Sequence, residues 1–297
     1  MEWPYKGFKA WPDSCNAAFC LTWDVDDETP VYARSRFRQH DVSEIEQRRY
    51  GIRRALPSVL RMLENERVPA CFYVPAYIAR QWPQVVRQLS ERGYEVGAHG
   101  FFHEPVSVLT RDDENAIVAE SLNVLETICQ RPIAGYRTPA WQFNPWTADL
   151  LLDHGILYDS SLMGDVSVYT IKTASGRLVE VPIHWNLDDV EHWGHTQSTR
   201  DRSISAPSLV LDIWKAELAG IVQEGGVCVL TLHPHVSGRP GFLSVIQDFI
   251  RYAKTMPNLW WTTPGAIAEY AASRLSEVPT VRLMDTTPDW RYRKPRR

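Results

Sequence analysis

Along the chain, short apolar runs alternate with longer stretches whose apolar residues recur every three or four positions. The run at 17–22 (AAFCLT) predicts a buried strand, and it stops at an acidic cluster, residues 24–28. A polar connection is expected over 29–41. Ile52, Ala55, Leu56, Val59, Leu60 and Leu63 fall at helical spacing and predict a helix over 51–68. Residues 70–74 (ACFYV) read as a strand, 83–92 as a helix, and 95–98 as a strand that delivers His99. Thr110 and Asp113 have the spacing of a capping box and open a helix to Ile128. A strand at 134–137, a helix at 146–154 closed by Gly155, and strands at 156–159 and 178–181 follow. A polar segment holding Trp and His, from 182 to about 206, is expected as a loop. A helix over 209–223, a clearly buried strand at 227–232 (VCVLTL), a helix over 242–254, a strand at 259–262 and a helix over 265–275 complete the series.

Strand–helix alternation over the whole length, with near-continuous apolar strands, predicts a parallel α/β architecture. Seven or eight repeats without a linker predict one domain over residues 1–297, a single (β/α) barrel of seven or eight strands. Several strands are only three or four residues long, so the barrel is expected to be distorted or incomplete. Composition adds bounds. Of the 297 residues, 44% are hydrophobic, enough for a sizeable core. The net charge of −4 argues against a nucleic-acid partner, and the basic tail at about 289–297 reads as a solvated terminus. The five cysteines are scattered with no CxxC, the usage of small buried hydrophobes in a reducing compartment. No run has signal-peptide length and no stretch approaches membrane-spanning length. A cytoplasmic protein without membrane contact is therefore expected.

In a parallel barrel the functional groups gather at the C-terminal ends of the strands. Four such ends here carry chemistry: Asp24-Val25-Asp26, His99, Arg137-Thr138-Pro139, and His233-Pro234-His235. In extended backbone, residues two apart face one side, so Asp24 and Asp26 can address one centre with Val25 turned away. His99 and His103, four apart around Gly100, can aim both imidazoles at one ion. Asp26, His99 and His103 form a three-ligand set that leaves positions open, as a catalytic divalent metal requires. Asp24 is then placed to take a proton from the attacking water, and His233 to give one to the leaving group. His184, His192 and His195 share one loop, as a second metal site or a solvated loop, the latter preferred. The proline between His233 and His235 argues against both facing the site, and Glu180 is expected as a rim carboxylate.

Over most of its length the chain resembles the polysaccharide deacetylase family (the nodulation-protein-B homology domain). The segment Thr22-Trp23-Asp24-Val25-Asp26 corresponds to the family's Thr-Phe-Asp-Asp, with one additional residue between the carboxylates. His99 with His103, Arg137 with Pro139, and Leu230 to Pro234 around His233 match the other motifs. The resemblance implies that Asp26, His99 and His103 hold the metal, with zinc the first expectation. It further implies that Asp24 is the base, oriented by Arg137, and that His233 is the acid. The backbone N–H of Ala140 is implied at the oxyanion; for the Asp that tunes the acid histidine in the family, Asp159 is the candidate, with a structural cap as its alternative role. GYRTPAW, SSLMGD, VEVPIHWNLDD and HPHVSGRP look like the family's non-exported branch, which includes cyclic imide hydrolases, allantoinase-like enzymes and a peptidoglycan-deacetylase-like protein. Members of that branch are commonly tetramers, which implies a homotetramer. The favoured expectation is a hydrolase of a small cyclic imide or ureide, with Trp141, Trp185 and Arg239 as substrate-binding candidates. Removal of acetyl groups from N-acetylglucosamine-containing glycan is the alternative, and a catalytically silent metal- or carbohydrate-binding module a third.

Overall fold

Small and large residues alternate at the start of the chain's first long apolar run, and period two sends the two sets to opposite faces. In a computed structural model, which describes residues 6–35, 41–196, 199 and 202–283, this run is strand β1 (Ala17–Asp24). Phe19, Leu21, Trp23 and Val25 pack outward under helices, whereas Ala18 and Cys20 face an inner cluster with Tyr73, Tyr158, Val179 and Val229. Thr22 and Asp24 continue the inner row and are buried.

The further strands are β2 (Cys71–Val74), β3 (Glu95–Ala98), β4 (Gly135–Tyr136), β5 (Tyr158–Asp159), β6 (Tyr169–Lys172), β7 (Arg177–Glu180), β8 (Val227–Leu232), β9 (Leu259–Thr262) and β10 (Thr280–Val281). They form one sheet in the order β10-β6-β7-β5-β4-β3-β2-β1-β8, with β9 paired to the N-terminal half of β1. Eight of these strands run parallel, in keeping with the expected (β/α) repeats; β6 pairs antiparallel with β7, and β10 extends that edge beside β6. Between the segment after β7 and β8, one parallel bridge joins Asp188 to Thr231. The result is a mixed α/β fold with a largely parallel, irregular sheet.

The helices are α1 (Thr29–Ser35), α2 (Val42–Tyr50), α3 (Leu56–Glu66), α4 (Ala76–Gln81), α5 (Pro83–Glu91), α6 (Arg111–Cys129), α7 (Thr147–Asp153), α8 (Asp189–Trp193), α9 (Pro207–Glu224), α10 (Pro234–Ser237), α11 (Pro240–Ala253) and α12 (Pro264–Ala272). α9 and α11 cover the outer face of β1 and β8, where Trp214 and Phe19 both meet the ring of Phe249. Full burial of a side chain such as Phe19 or Phe249 contributes about 1.5–3 kcal/mol.

Three expectations need correction. Residues 29–35, expected as connection, are helical; seven residues give under two turns, too few for periodicity to register. The helix expected to begin at 51 continues backward through a π-helical turn (Gly51–Ala55) into α2, whose largely polar sequence conceals it. The stretch expected as a loop from 182 contains a 3₁₀ turn (Trp185–Leu187) and α8. The basic tail at 289–297 lies outside the described residues.

Candidate active site

Asp26, His99 and His103 bring one donor atom each to within 4.8 Å of one another. His99 Nε2 lies 3.3 Å from Asp26 Oδ1, and His103 Nε2 lies 3.5 Å from Asp26 Oδ2. The tautomer of His99 is fixed, because its Nδ1–H donates to the Arg137 carbonyl at 2.7 Å and leaves the Nε2 lone pair facing Asp26. Gly100 (φ +67) and His103 (φ +58) both take the left-handed conformation that turns the chain back. For a non-glycine residue this costs on the order of 1 kcal/mol. Glu104 holds the turn by accepting from the N–H groups of Phe101 and Phe102. Asp26 Oδ1 is buried with no hydrogen-bond partner, and burial pushes His103 down to about 4, so that it is neutral at ordinary pH. An orphaned carboxylate oxygen facing two convergent imidazoles, one with its tautomer fixed and the other neutral, fits a divalent cation.

Asp24 sits beside this trio, its Oδ2 3.9 Å from His99 Nε2, and its Oδ1 accepts from Arg137 at 2.8 Å. Arg137 is fully buried, and every guanidinium nitrogen is used. It donates to Thr22 Oγ1 (2.9 Å), the Ser160 carbonyl (2.9 Å) and Ser160 Oγ (3.0 Å), and its plane lies 4.2 Å from the centre of the Tyr73 ring. Gly97 makes room for that ring, since a Cβ there would fall 2.5 Å from Tyr73. Burial alone would lower the Arg137 pKa, but Asp24 and its other neighbours raise it.

On the other side of Asp26, His233 Nε2 lies 3.6 Å from Asp26 Oδ2. Its Nδ1 is 2.7 Å from Asp189 Oδ1, while Asp189 Oδ2 accepts from the His233 backbone N–H (2.8 Å) and from Ser237 Oγ. Burial opposes the charged imidazole, but Asp189 more than offsets it and His233 is held up at about 10. Burial raises the neighbouring Asp188 to about 8. Asp188, Asp189 and His233 also converge as possible ligands, but the short Asp189–His233 contact is that of a carboxylate orienting an imidazole.

Asp159 does not reach His233. It accepts from Ser161 Oγ at 3.0 Å and lies against Glu180, so the position expected for it beside the acid histidine is taken by Asp189. Glu180 is fully buried rather than at the rim, and accepts from the N–H groups of Ser161 and Leu162. Both carboxyls keep one oxygen without a partner, and burial raises both, Asp159 to about 6; one proton shared between them satisfies the pair.

Asp24, Asp26, His99, His103 and His233 open into one cavity of about 420 Å³. Trp141 and Trp185 stack on each other at its wall (centroids 4.2 Å apart), and Ala140 lines it in a left-handed conformation (φ +50). Arg239 is not part of this cavity. It stands over the Tyr50 ring in the wall of a second one. His235 likewise turns to Arg48, whose guanidinium is 3.2 Å from its Nε2. His184 and His192 serve the turn at Asn186, and with His195 they form no ligand cluster among the described residues. Asp188, Asp189 and Glu104 are the site carboxylates that sequence reasoning did not assign. The Asp-Asp pair closing VEVPIHWNLDD was the available signal for the first two.

Residues 49–158 match the family model described as polysaccharide deacetylase. A peptidoglycan deacetylase of Helicobacter pylori is 25% identical over 241 residues, covering 72% of this chain and 82% of that protein. A solved Mycobacterium smegmatis structure assigned to the polysaccharide deacetylases is 31% identical, covers 95% of this chain and 98% of its own, and superposes with a TM-score of 0.88. The crystal structure of Puue allantoinase superposes with a TM-score of 0.79 at 18% identity, over 92% of this chain and 98% of its own, a likeness of fold.

Proposed function

Since the chain belongs to the polysaccharide deacetylase family, we propose that it is a divalent-metal-dependent hydrolase of a non-peptide amide C–N bond, with a small cyclic imide or ureide as its favoured substrate. The observation that carries this reading is the meeting of three groups of residues at one cavity. They are the Asp26–His99–His103 donors, the Arg137-bound Asp24 and the Asp189-bound His233.

A divalent ion held by Asp26, His99 and His103, zinc being the first candidate, supplies Lewis acidity and lowers the pKa of water. Asp24, oriented by the Arg137 hydrogen bond, accepts the proton of the attacking water. His233, kept charged by Asp189, donates a proton to the nitrogen as the C–N bond breaks, so that one carboxylic acid group and one neutral amine, or ring-opened amide nitrogen, result. The Ala140 N–H is the donor proposed for the developing oxyanion; such a donor is worth roughly 3 kcal/mol. The stacked Trp141–Trp185 pair offers a flat wall to a compact ring in a cavity of about 420 Å³.

De-N-acetylation of an N-acetylglucosamine-containing glycan is the second reading. It is favoured by the match to the Helicobacter pylori peptidoglycan deacetylase across most of both chains. Action in the cytoplasm and assembly as a homotetramer belong to the proposal through the branch resemblance, and light scattering on the purified protein tests the latter. No helix among the described residues is long and apolar enough to cross a membrane.

The deciding assay follows ring opening of succinimide and hydantoin compounds beside acetate release from short N-acetylglucosamine oligomers, on metal-reconstituted protein. Ring opening alone establishes the favoured reading, and acetate release alone the second. Neither, with stoichiometric metal bound, leaves a silent binding module.

A further inference from the structure

Behind the catalytic cavity lies another of about 410 Å³, and the two share Arg34, Arg48 and Val190 in their walls. The second is strongly basic: Arg34, Arg48, Arg202 and Arg239 all line it. Among the described residues, two carboxylates pair with them, and Asp26 faces Arg48 as a further negative neighbour. Arg34 and Arg48 share Glu44, and Arg202 pairs with Glu191 at 3.4 Å. Arg239 has no carboxylate within ion-pairing distance among the described residues and rests on the Tyr50 ring, 3.8 Å from its centre. Four guanidiniums against two paired carboxylates, with Asp26 near Arg48 alone, leave this wall with net positive charge.

The deepest of these cations is also held in place. The Arg48 side chain is 13% exposed, and besides Glu44 it reaches the Asp27 carbonyl (3.4 Å) and His235 Nε2 (3.2 Å). Because Nε2 accepts from Arg48, the His235 proton sits on Nδ1. That N–H belongs to a residue 7% exposed that lines the cavity, and it has no hydrogen-bond partner. Fixed guanidiniums with spare positive charge, in a cavity adjoining the reacting centre, match an oxyanion better than any neutral group, since planar guanidinium forks fit carboxylate and phosphate oxygens.

We propose that this cavity is an anion subsite of the same enzyme, and that its substrate carries a carboxylate or phosphate group beside the amide that is cut. The inference rests on the hydrolase reading for the cut bond, but not for the anion. Arg239 is the specificity-determining contact, and Arg48 links the two cavities.

The test begins with calorimetric titration of the metal-loaded full chain with inorganic phosphate and, separately, with acetate; which anion binds tells phosphate from carboxylate. Saturable binding of at least one is expected. Charge-assisted hydrogen bonds change affinity about tenfold to hundredfold, so Arg239→Gln should weaken binding at least about tenfold. Arg239→Lys should restore part of it, and His103→Ala, which removes a metal ligand, should keep it. Should Arg239→Gln fail to fold, Arg239→Lys alone still has to weaken binding. No saturable binding of either anion overturns the proposal. So does binding that Arg239 variants leave unchanged and His103→Ala abolishes, because that anion sits on the metal.

A second arm compares substrates that differ only in the anion: hydantoin against 5-carboxymethylhydantoin, and N-acetylglucosamine against its 6-phosphate. In one pair the charged member should show a kcat/KM higher by about tenfold or more, carried by KM, and Arg239→Gln should remove the preference. Equal turnover within both pairs overturns the subsite and leaves the hydrolase reading standing. Arg239-dependent anion binding without turnover of any amide upholds the subsite and overturns the hydrolase reading.

Discussion

Replacing Arg137 with Met removes a fully buried guanidinium while keeping most of its volume. Four hydrogen bonds between 2.8 and 3.0 Å and the stacking on Tyr73 are lost together. They tie the end of β1 (Thr22 and Asp24) to Ser160, just after β5, so the loss unfastens three strand ends at once. Asp24 Oδ1 is left as a buried charge without its partner, and breaking a buried pair in this way costs about 3–5 kcal/mol. For a domain of 297 residues that corresponds to a fall in Tm of roughly 5–8 °C. Equilibrium urea unfolding gives the free energy, and differential scanning calorimetry the midpoint. Asp24→Asn keeps an acceptor for Arg137 but leaves the buried guanidinium without its counter-charge, so it should also destabilise, by less than Arg137→Met because the other three hydrogen bonds remain. The two sites are in contact, so the double variant should depart from additivity by about 1–3 kcal/mol. An Arg137→Met protein within about 1 kcal/mol of wild type would refute the reasoning, as would additive effects, and Arg137 would then be only an orienting group for Asp24.

Three further outcomes are expected. His103→Ala should lose metal by elemental analysis and activity with it, whereas Asp24→Asn should keep stoichiometric metal and lose activity by at least about a hundredfold, the scale of general-base catalysis; full activity in Asp24→Asn removes it as the base. For His233 the folded pKa of about 10 lies above its ordinary value of about 6.5, so the favourable protonated state is fully present below pH 6.5 and is lost as pH rises through 10. Asp189→Asn removes the charge that opposes burial, and the alkaline limb of kcat/KM should move to about 6.5 or below. At pH 8 about 3% of the histidine would then be protonated, a loss of roughly thirtyfold that shrinks towards pH 6; an unmoved limb means that His233 is not the acid. Asp159 carries the same sign in a lower pH window. Its carboxyl is raised to about 6, so the folded state binds the proton more tightly, and stability should fall as pH rises from about 4 through 6. Glu180→Gln should flatten that fall by roughly 1–3 kcal/mol in denaturant titrations at pH 5 and pH 8, and an identical pH slope in the variant rules out the shared proton.

The expected alternation of strands and helices is present because each β/α unit writes its own period into consecutive residues. The site residues at strand ends, Asp24, Asp26, His99, Arg137 and His233, were legible for the same reason. Each follows directly on an apolar run, and Val25 between the two carboxylates faces the outer core as period two requires. Helix α1, the π turn and α8 were not legible, since five to seven residues carry too little periodicity to stand out from loop.

What the tertiary structure alone decided are the pairings across long sequence separations. Asp189 rather than Asp159 meets His233 because α8 is pinned beside β8, 44 residues away in sequence, while β5 turns Asp159 towards Glu180 on β7. Arg239, grouped with the catalytic cavity by its residue type, stands instead at the start of α11, over the Tyr50 ring and in a wall it shares with Arg48. Local sequence fixes which way a side chain leaves its own strand or helix. Which groups meet there depends on how separate elements pack, and that packing sets the burial and neighbouring charge that separate His233 at about 10 from His103 at about 4.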